Sequence, residues 1–330
     1  MARHRARHRM FYILMALLAI VAVSRTGAEE PTKTLQHVSV RLNFLPGVEH
    51  AFLYLGKQKG WYAEAGIDLE VIPGQGSTVA VKTVGSGEDQ FAIADTGSVS
   101  RGWEAGVKVV YVAMLLKHTP AVIFSLPSRN IVSMKDLCGK KVGVNLKSTT
   151  AEQYHAMVRA AKLTCEIEEI PINSGGTKEV MSGAVDAAVN FSYTDALRVK
   201  LKSGANVVPA TEYFDFFSLG IITNAGFLTE NEGLVRRFLK VTYRSLDYAF
   251  AHKDEAMAAF LDVVPEADQS FEAAKFDAFT VLMQDSLASS QTCSQSQAGW
   301  EATMRSLREV GLTKSLIDPT GRFACVAEER

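Results

Sequence analysis

An excess of charge of either sign is what this sequence most plainly lacks. Thirty-five Lys and Arg face 36 Asp and Glu, a formal charge of -1, so no surface for nucleic acid or another polyanion is indicated. Cysteine is scarce too: four stand in 330 residues, at 138, 165, 293 and 325. Their spacing matches no tetrahedral zinc pattern, so no metal is expected. No Gly-Lys-Ser/Thr follows the glycine-rich stretches, which removes a phosphate-binding P-loop. No Arg stands in the loops that follow the predicted strands, and a concentrated anion site is not expected there. Beyond residue 28, no apolar run approaches the roughly 20 residues that span a bilayer.

What is present is apolar material: 47% of residues are hydrophobic, enough for a large core and too much for disorder. A chain this long usually divides into two domains instead of enlarging one core. The first ten residues carry Arg3, Arg5, Arg7 and Arg9, an apolar run covers Phe11 to Val23, and small residues surround Ala28. A basic start, a short apolar stretch and a small-residue exit form a secretory signal, residues 1–28, and imply a periplasmic protein. Its removal takes five arginines and no acids, and so shifts the charge further negative. An even cysteine count in an exported chain points to disulfides. Cys138 precedes the strand at 141–144 and Cys165 the strand at 167–172. If these strands are parallel neighbours, both thiols lie at one sheet edge, which predicts pairs 138–165 and 293–325; four buried thiols are the alternative.

Short β runs alternate with helices through the first two thirds. Strands are predicted at 38–44, 67–72, 91–94 and 107–116, with helices at 50–60 and 77–85. The rhythm restarts with a strand at 142–144, a helix at 150–162, a strand at 167–172, a helix at 177–182 and a strand at 187–189. The last third reads as helices at 229–251, 254–261, 271–287 and 297–310, with a Thr229/Glu232 capping box and Gly311 as a stop. This βαβα order implies a parallel or mixed sheet with helices on both faces. Extended segments at 115–124 and 216–223 read as bridges. The second α/β unit, 121–222, is then an insertion, and 36–120 with 223–330 form the first lobe. Two lobes joined by two crossovers have a hinge and a central cleft, the geometry for enclosing a small ligand.

In open α/β sheets ligands bind beyond the carboxyl ends of the strands. In the first lobe those loops offer Asn43, Phe44 and His50, with Tyr54 one helical turn after His50. Then come Gly76, Ser77 and Thr78, where glycine admits a ligand to the backbone and Ser77 can cap a helix. Thr96, Gly97 and Ser98 follow at a turn opened by Asp95. In the second lobe the counterparts are Lys147, Ser148 and Thr149, with Thr149/Glu152 as a capping box, and then Asn190, Phe191 and Tyr193, flat faces beside a donor–acceptor amide. His118 and Phe216 lie at the crossovers. Helix capping and core packing explain some of these residues equally well, and Trp61 and Tyr62 are assigned to packing alone.

The runs Arg41-Leu42-Asn43-Phe44-Leu45-Pro46, His50-Ala51-Phe52-Leu53-Tyr54 and Lys59-Gly60-Trp61-Tyr62, with Lys135 to Val144 further on, resemble a known group. These are the substrate-binding proteins of bacterial importers for pyrimidine thiamine precursors, relatives of the sulfonate, taurine and nitrate binders. The resemblance implies a type II periplasmic-binding-protein fold, an ABC permease with its ATPase as partner, and a first-lobe wall of Asn43, Phe44, His50 and Tyr54. Two positions depart from the pattern: Phe44 replaces the usual Trp, and Phe191 to Asp195 carries no Glu. The expected protein is a monomeric binder of a small organic ligand, a flat and weakly charged heterocycle, without catalytic residues or cofactor. The alternatives are a thiamine-pyrimidine synthase-like enzyme, a ligand-presenting sensor, and a sulfonate-, taurine- or nitrate-like anion as ligand.

Overall fold

The computed structural model describes residues 34–146, 148–287 and 295–326. The signal at 1–28, Lys147 and Cys293 lie outside the described residues. Strand β1 (Gln36–Arg41) is followed by a 3-10 turn at Val48–His50, α1 (Ala51–Gln58), α2 (Trp61–Glu64) and β2 (Ile67–Ile72). Next come α3 (Ser77–Ser86), β3 (Phe91–Asp95), α4 (Thr96–Glu104) and β4 (Val109–Leu116). The chain continues through β5 (Ala121–Ser125), β6 (Lys141–Val144), α5 (Thr149–Ala160), β7 (Glu168–Pro171), α6 (Thr177–Ser182), β8 (Ala187–Phe191), α7 (Asp195–Ser203) and β9 (Asn206–Pro209). Strand β10 (Leu219–Asn224) precedes α8 (Ala225–Glu230), α9 (Glu232–Ala251), α10 (Lys253–Leu261), α11 (Gln269–Leu287) and α12 (Gln297–Glu309).

Ten strands make two five-stranded sheets, ordered β2-β1-β3-β10-β4 and β7-β6-β8-β5-β9. In the first, β1 is parallel to β2 and β3 while β10 runs antiparallel between β3 and β4. In the second, β6 is parallel to β7 and β8, and β5 is antiparallel to β8 and β9. Each sheet with its helices is one α/β lobe. The chain leaves the first sheet after Leu116 and returns to it at Leu219.

One face of the first sheet is covered by α1 and α9, where Phe91 stacks on Phe238 with centroids 4.0 Å apart and Tyr62 stacks on the same ring at 6.0 Å. Trp61 and Tyr62 are buried here, and the Tyr62 hydroxyl meets Thr242 Oγ1 at 3.0 Å. The other face is sealed by α12, whose Trp300 is fully buried against Trp103, Tyr111, Phe217 and Phe323. Edge strand β4 is capped in turn. Tyr111 N–H donates to Arg322 O at 3.0 Å and Tyr111 O accepts from Ala324 N–H at 2.8 Å, which removes an exposed template for aggregation. Among the described residues no helix is long and apolar enough to cross a membrane.

Cys138 and Cys165 form a disulfide with Cα atoms 5.5 Å apart. The reason is the expected one: β6 and β7 are parallel neighbours, Lys141 opposite Glu168. Cys325 is also disulfide-bonded.

Several local expectations are corrected. Residues 96–104 are helix α4 and not a turn, while the bridge segments contain strands β5 and β10. Helix α5 is capped by Ser148, whose Oγ accepts from Ala151 N–H at 3.3 Å, so Thr149 is the first helical residue and Glu152 faces elsewhere. Ser77 caps nothing. Gly76 holds the cap position at φ 109, a conformation that favours glycine, and Ser77 Oγ accepts the Asp95 N–H at 3.1 Å. Thr229 lies inside α8 and donates back to Ala225 O at 3.1 Å, leaving Asn231 as the cap of α9. Local spacing misled at all three places because a cap is defined by backbone angles that the surrounding packing sets.

Truncation of the ring shared by Phe91 and Tyr62 tests the core. Phe238→Ala is expected to destabilise by about 3–5 kcal/mol, measured by urea unfolding, with little change in the m-value.

Candidate functional site

Strand β1 ends at Arg41, and the following loop carries Asn43 to a buried imidazole. Gly47 N–H donates to His50 Nδ1 at 3.2 Å, so the neutral ring carries its hydrogen on Nε2, which donates to Asn43 Oδ1 at 2.9 Å. Burial pushes the His50 pKa down to about 4 against the pull of the Glu49 carboxylate. The imidazole is therefore neutral at pH 7 and fixes Asn43 with its NH2 available. Beside it, Tyr54 is 9% exposed, its hydroxyl pushed up to about 12 by burial and by Glu49.

Glu49 sits under this wall in an ion cluster that sequence reasoning missed. Lys275 of α11 approaches its carboxylate at 2.6 Å and Glu272 at 3.7 Å, and Glu272 accepts the Val48 N–H at 3.2 Å. Burial is the largest influence on Glu49 and opposes its charge, but Lys275, His50 and hydrogen bonding together bring the net pKa down; Lys275 is raised against its own burial by the two carboxylates. Gly47 makes room for the pair, since a Cβ there would stand 2.3 Å from Glu49 Oε2 and 2.8 Å from Lys275 Nζ. Glu49 was legible as the neighbour of His50; Lys275, 226 positions beyond Glu49, gave no signal.

The second lobe reaches the same place. Tyr193, past the end of β8, belongs to the core cluster of α1 and α9. It stacks on Phe191 at 5.9 Å and meets Phe279 of α11 edge-on at 5.2 Å. Burial, then the Glu49 charge, raises its hydroxyl pKa. His50, Tyr54 and Tyr193 all feel the Glu49 charge, with Asn43 joined through His50 and Phe191 through Tyr193. Phe44 is 59% exposed in the same loop.

A second group joins the next turns. Thr78 Oγ1 lies 3.4 Å from Ser98 Oγ, which donates to Asp95 Oδ2 at 2.8 Å and accepts from Arg101 at 3.1 Å. Arg101 was absent from the predicted loops because it stands one turn inside α4. Its spacing of three from Ser98 was the available clue.

Other expected residues have structural duties. Asn190 donates to Gly175 O at 3.1 Å and Asp195 at 2.9 Å, and its oxygen takes Phe191 N–H at 2.8 Å, so the amide shapes its own loop. Phe216 is buried against Phe214. Thr96 is fully buried and bonded to Ser218 O at 3.2 Å. His118 is paired with Asp215, linking the two crossovers, and Asp215 also accepts the Thr119 N–H at 3.1 Å. Ser148 donates to Asn145 O at 2.7 Å.

The neutral imidazole predicts a pH dependence. The folded pKa lies below the ordinary imidazole value of 6.5, so the unfolded chain binds the extra proton and stability falls as pH drops from 6.5 towards 4, by on the order of 3 kcal/mol in all. His50→Gln is expected to flatten the part of the curve between pH 6.5 and 5, above the range where carboxylates titrate, as read by thermal unfolding across pH.

Similarity to solved structures agrees with the two-lobe architecture. The periplasmic aliphatic sulphonate binding protein SsuA from Escherichia coli superposes with a TM-score of 0.66 at 14% identity, over 87% of this chain and 97% of that one. The fold is that of the periplasmic binding proteins. The riboflavin-binding protein RibY of Chloroflexus aurantiacus is 25% identical over 324 residues, 92% of this chain and 89% of its own. The formylaminopyrimidine-binding protein of Halalkalibacterium halodurans is 24% identical over 271 residues, 78% and 80% of the two chains. A 4-amino-5-hydroxymethyl-2-methylpyrimidine phosphate synthase of Saccharomyces cerevisiae, THI5, is 21% identical over 248 residues, 69% and 72%. The family profile described as NMT1/THI5 like matches residues 48–256, and the chain belongs to that family.

Proposed function

We propose that this protein is an extracytoplasmic solute-binding protein that encloses a flat heteroaromatic ligand between its lobes and hands it to an ABC permease with its ATPase. The observation that carries this reading is the convergence of Asn43, His50 and Tyr54 from one lobe with Phe191 and Tyr193 from the other. Stacked aromatic rings suit a planar guest. The fixed Asn43 amide and the tyrosine hydroxyls suit its ring heteroatoms. Glu49 brings a carboxylate to this wall, where the 191–195 run carries no Glu, and Lys275 helps to keep it ionised. The helix starts at 76–78, 96–98 and 148–149 supply the polar end of the cleft. Riboflavin and formylaminopyrimidine, named for two relatives, are both planar nitrogen heterocycles. In this reading residues 1–28 direct export, 36–120 with 223–330 and 121–222 are the lobes that close, and the protein acts as a monomer without cofactor.

Calorimetry with riboflavin, a formylaminopyrimidine and taurine tests the ligand class. Binding of at least one heterocycle in the micromolar range or tighter is expected, with the ligand recovered chemically intact. Tyr193→Ala is expected to weaken it about tenfold, near 1.4 kcal/mol. Binding of taurine alone overturns the heterocycle; conversion of the ligand overturns the binding role.

A further inference from the structure

A cavity of about 570 Å³ lies between the lobes, lined among others by Arg101, Glu104, Glu152, His155, Arg159 and Lys314. Most of its charges are committed to their surroundings. Glu104 accepts the backbone N–H groups of Lys314 and Ser315 at 2.8 and 2.9 Å, Arg159 donates to Val310 O at 2.8 Å, and His155 meets Glu169 at 3.1 Å. One side-chain ion pair crosses it: Arg101 of α4 reaches Glu152 of α5 at 2.7 Å. Burial raises the Glu152 pKa against the pull of Arg101.

Both ends of this pair continue into functional ground. Arg101 also donates to Ser98 Oγ at 3.1 Å, and Ser98 is bonded to Asp95 and lies 3.4 Å from Thr78, so the guanidinium is anchored at the N-terminal ends of α3 and α4 in the first lobe. Glu152 stands in the first turn of α5, and the next residue, Gln153, accepts from Thr119 in the crossover between β4 and β5. A rotation that moves α5 away from α4 stretches or breaks the Arg101–Glu152 contact.

We propose that Arg101 is a positioning residue that couples the Thr78–Ser98 contact to lobe closure through its ion pair with Glu152. The side chains are 33% and 42% exposed, so water competes for the contact and its strength is modest. Modest strength suits a latch: it biases the lobes towards the closed form, taken as the arrangement in which Arg101 reaches Glu152, without trapping it, and a guest that touches Ser98 acts on the same guanidinium. The proposal rests on the solute-binding reading, and its test separates the two.

Spin labels on Val207→Cys and Val263→Cys, exposed sites on the second sheet and beyond α10, report the lobe separation in exhaustively dialysed protein by pulsed electron resonance. Arg101→Ala and the near-isosteric Glu152→Gln are each expected to lower the ratio of closed to open populations about fivefold, an ordinary coupling for such a pair. The double variant is expected to be no worse than either single one. The charge swap of Arg101→Glu with Glu152→Arg is expected to restore much of the closed population, which a merely structural role does not predict. Circular dichroism confirms that each variant folds. Distance distributions unchanged in both single variants, or a swap no better than the singles, overturn the latch. Titration of the same samples with riboflavin and a formylaminopyrimidine is a separate readout: failure of every variant and the parent to bind either heterocycle speaks against the ligand class and leaves the distance result standing.

Discussion

The structure depends on one topological constraint: β10 runs antiparallel between β3 and β4 in the first sheet. Chain that leaves after β4 must come back to fill the slot beside it, so everything between Leu116 and Leu219 builds a second sheet outside the first. The two crossovers then lie side by side, and Asp215 ties them by accepting the Thr119 N–H at 3.1 Å and pairing with His118. Two adjacent strands with few other covalent links form a hinge. A site assembled from both lobes is thereby sensitive to hinge angle.

The wall around Glu49 shows what such a site costs. An ion cluster with side chains 10–14% exposed suffers a desolvation penalty that the mutual attraction must offset. The backbone contributes to that offset through Val48 N–H on Glu272 and through Gly47, which leaves space for the carboxylate and ammonium to meet. The cluster fastens α11 to the loop that holds His50 and Asn43. The same helix packs Phe279 on Tyr193, while Arg198 of the second lobe lies 3.5 Å over the Phe271 ring at its start. One helix late in the chain thus touches both sides of the candidate site.

Much of the architecture was legible. The strand at 67–72 and the helix at 177–182 were read at their observed bounds, because period-two alternation and flanking glycines are local signals. Helix α4 was not legible: Thr96-Gly97-Ser98-Val99-Ser100 is rich in residues that favour turns, and it takes packing, with Asp95 capping the Ser98 N–H at 2.8 Å, to make it helical. Strand β10 was read as a bridge, since an extended apolar segment looks the same whether it joins two units or completes a sheet.

The sequence by itself determined the α/β rhythm, the parallel neighbours that bring Cys138 to Cys165, and the side chains His50 and Tyr54 one helical turn apart, because each is a relation between residues close in the chain. Only the tertiary structure decided that Lys275 meets Glu49, that Tyr193 enters the other lobe's core, and that Arg101 faces Glu152. Those contacts join segments from different elements, and their pairing follows from how the layers stack, which no local pattern encodes.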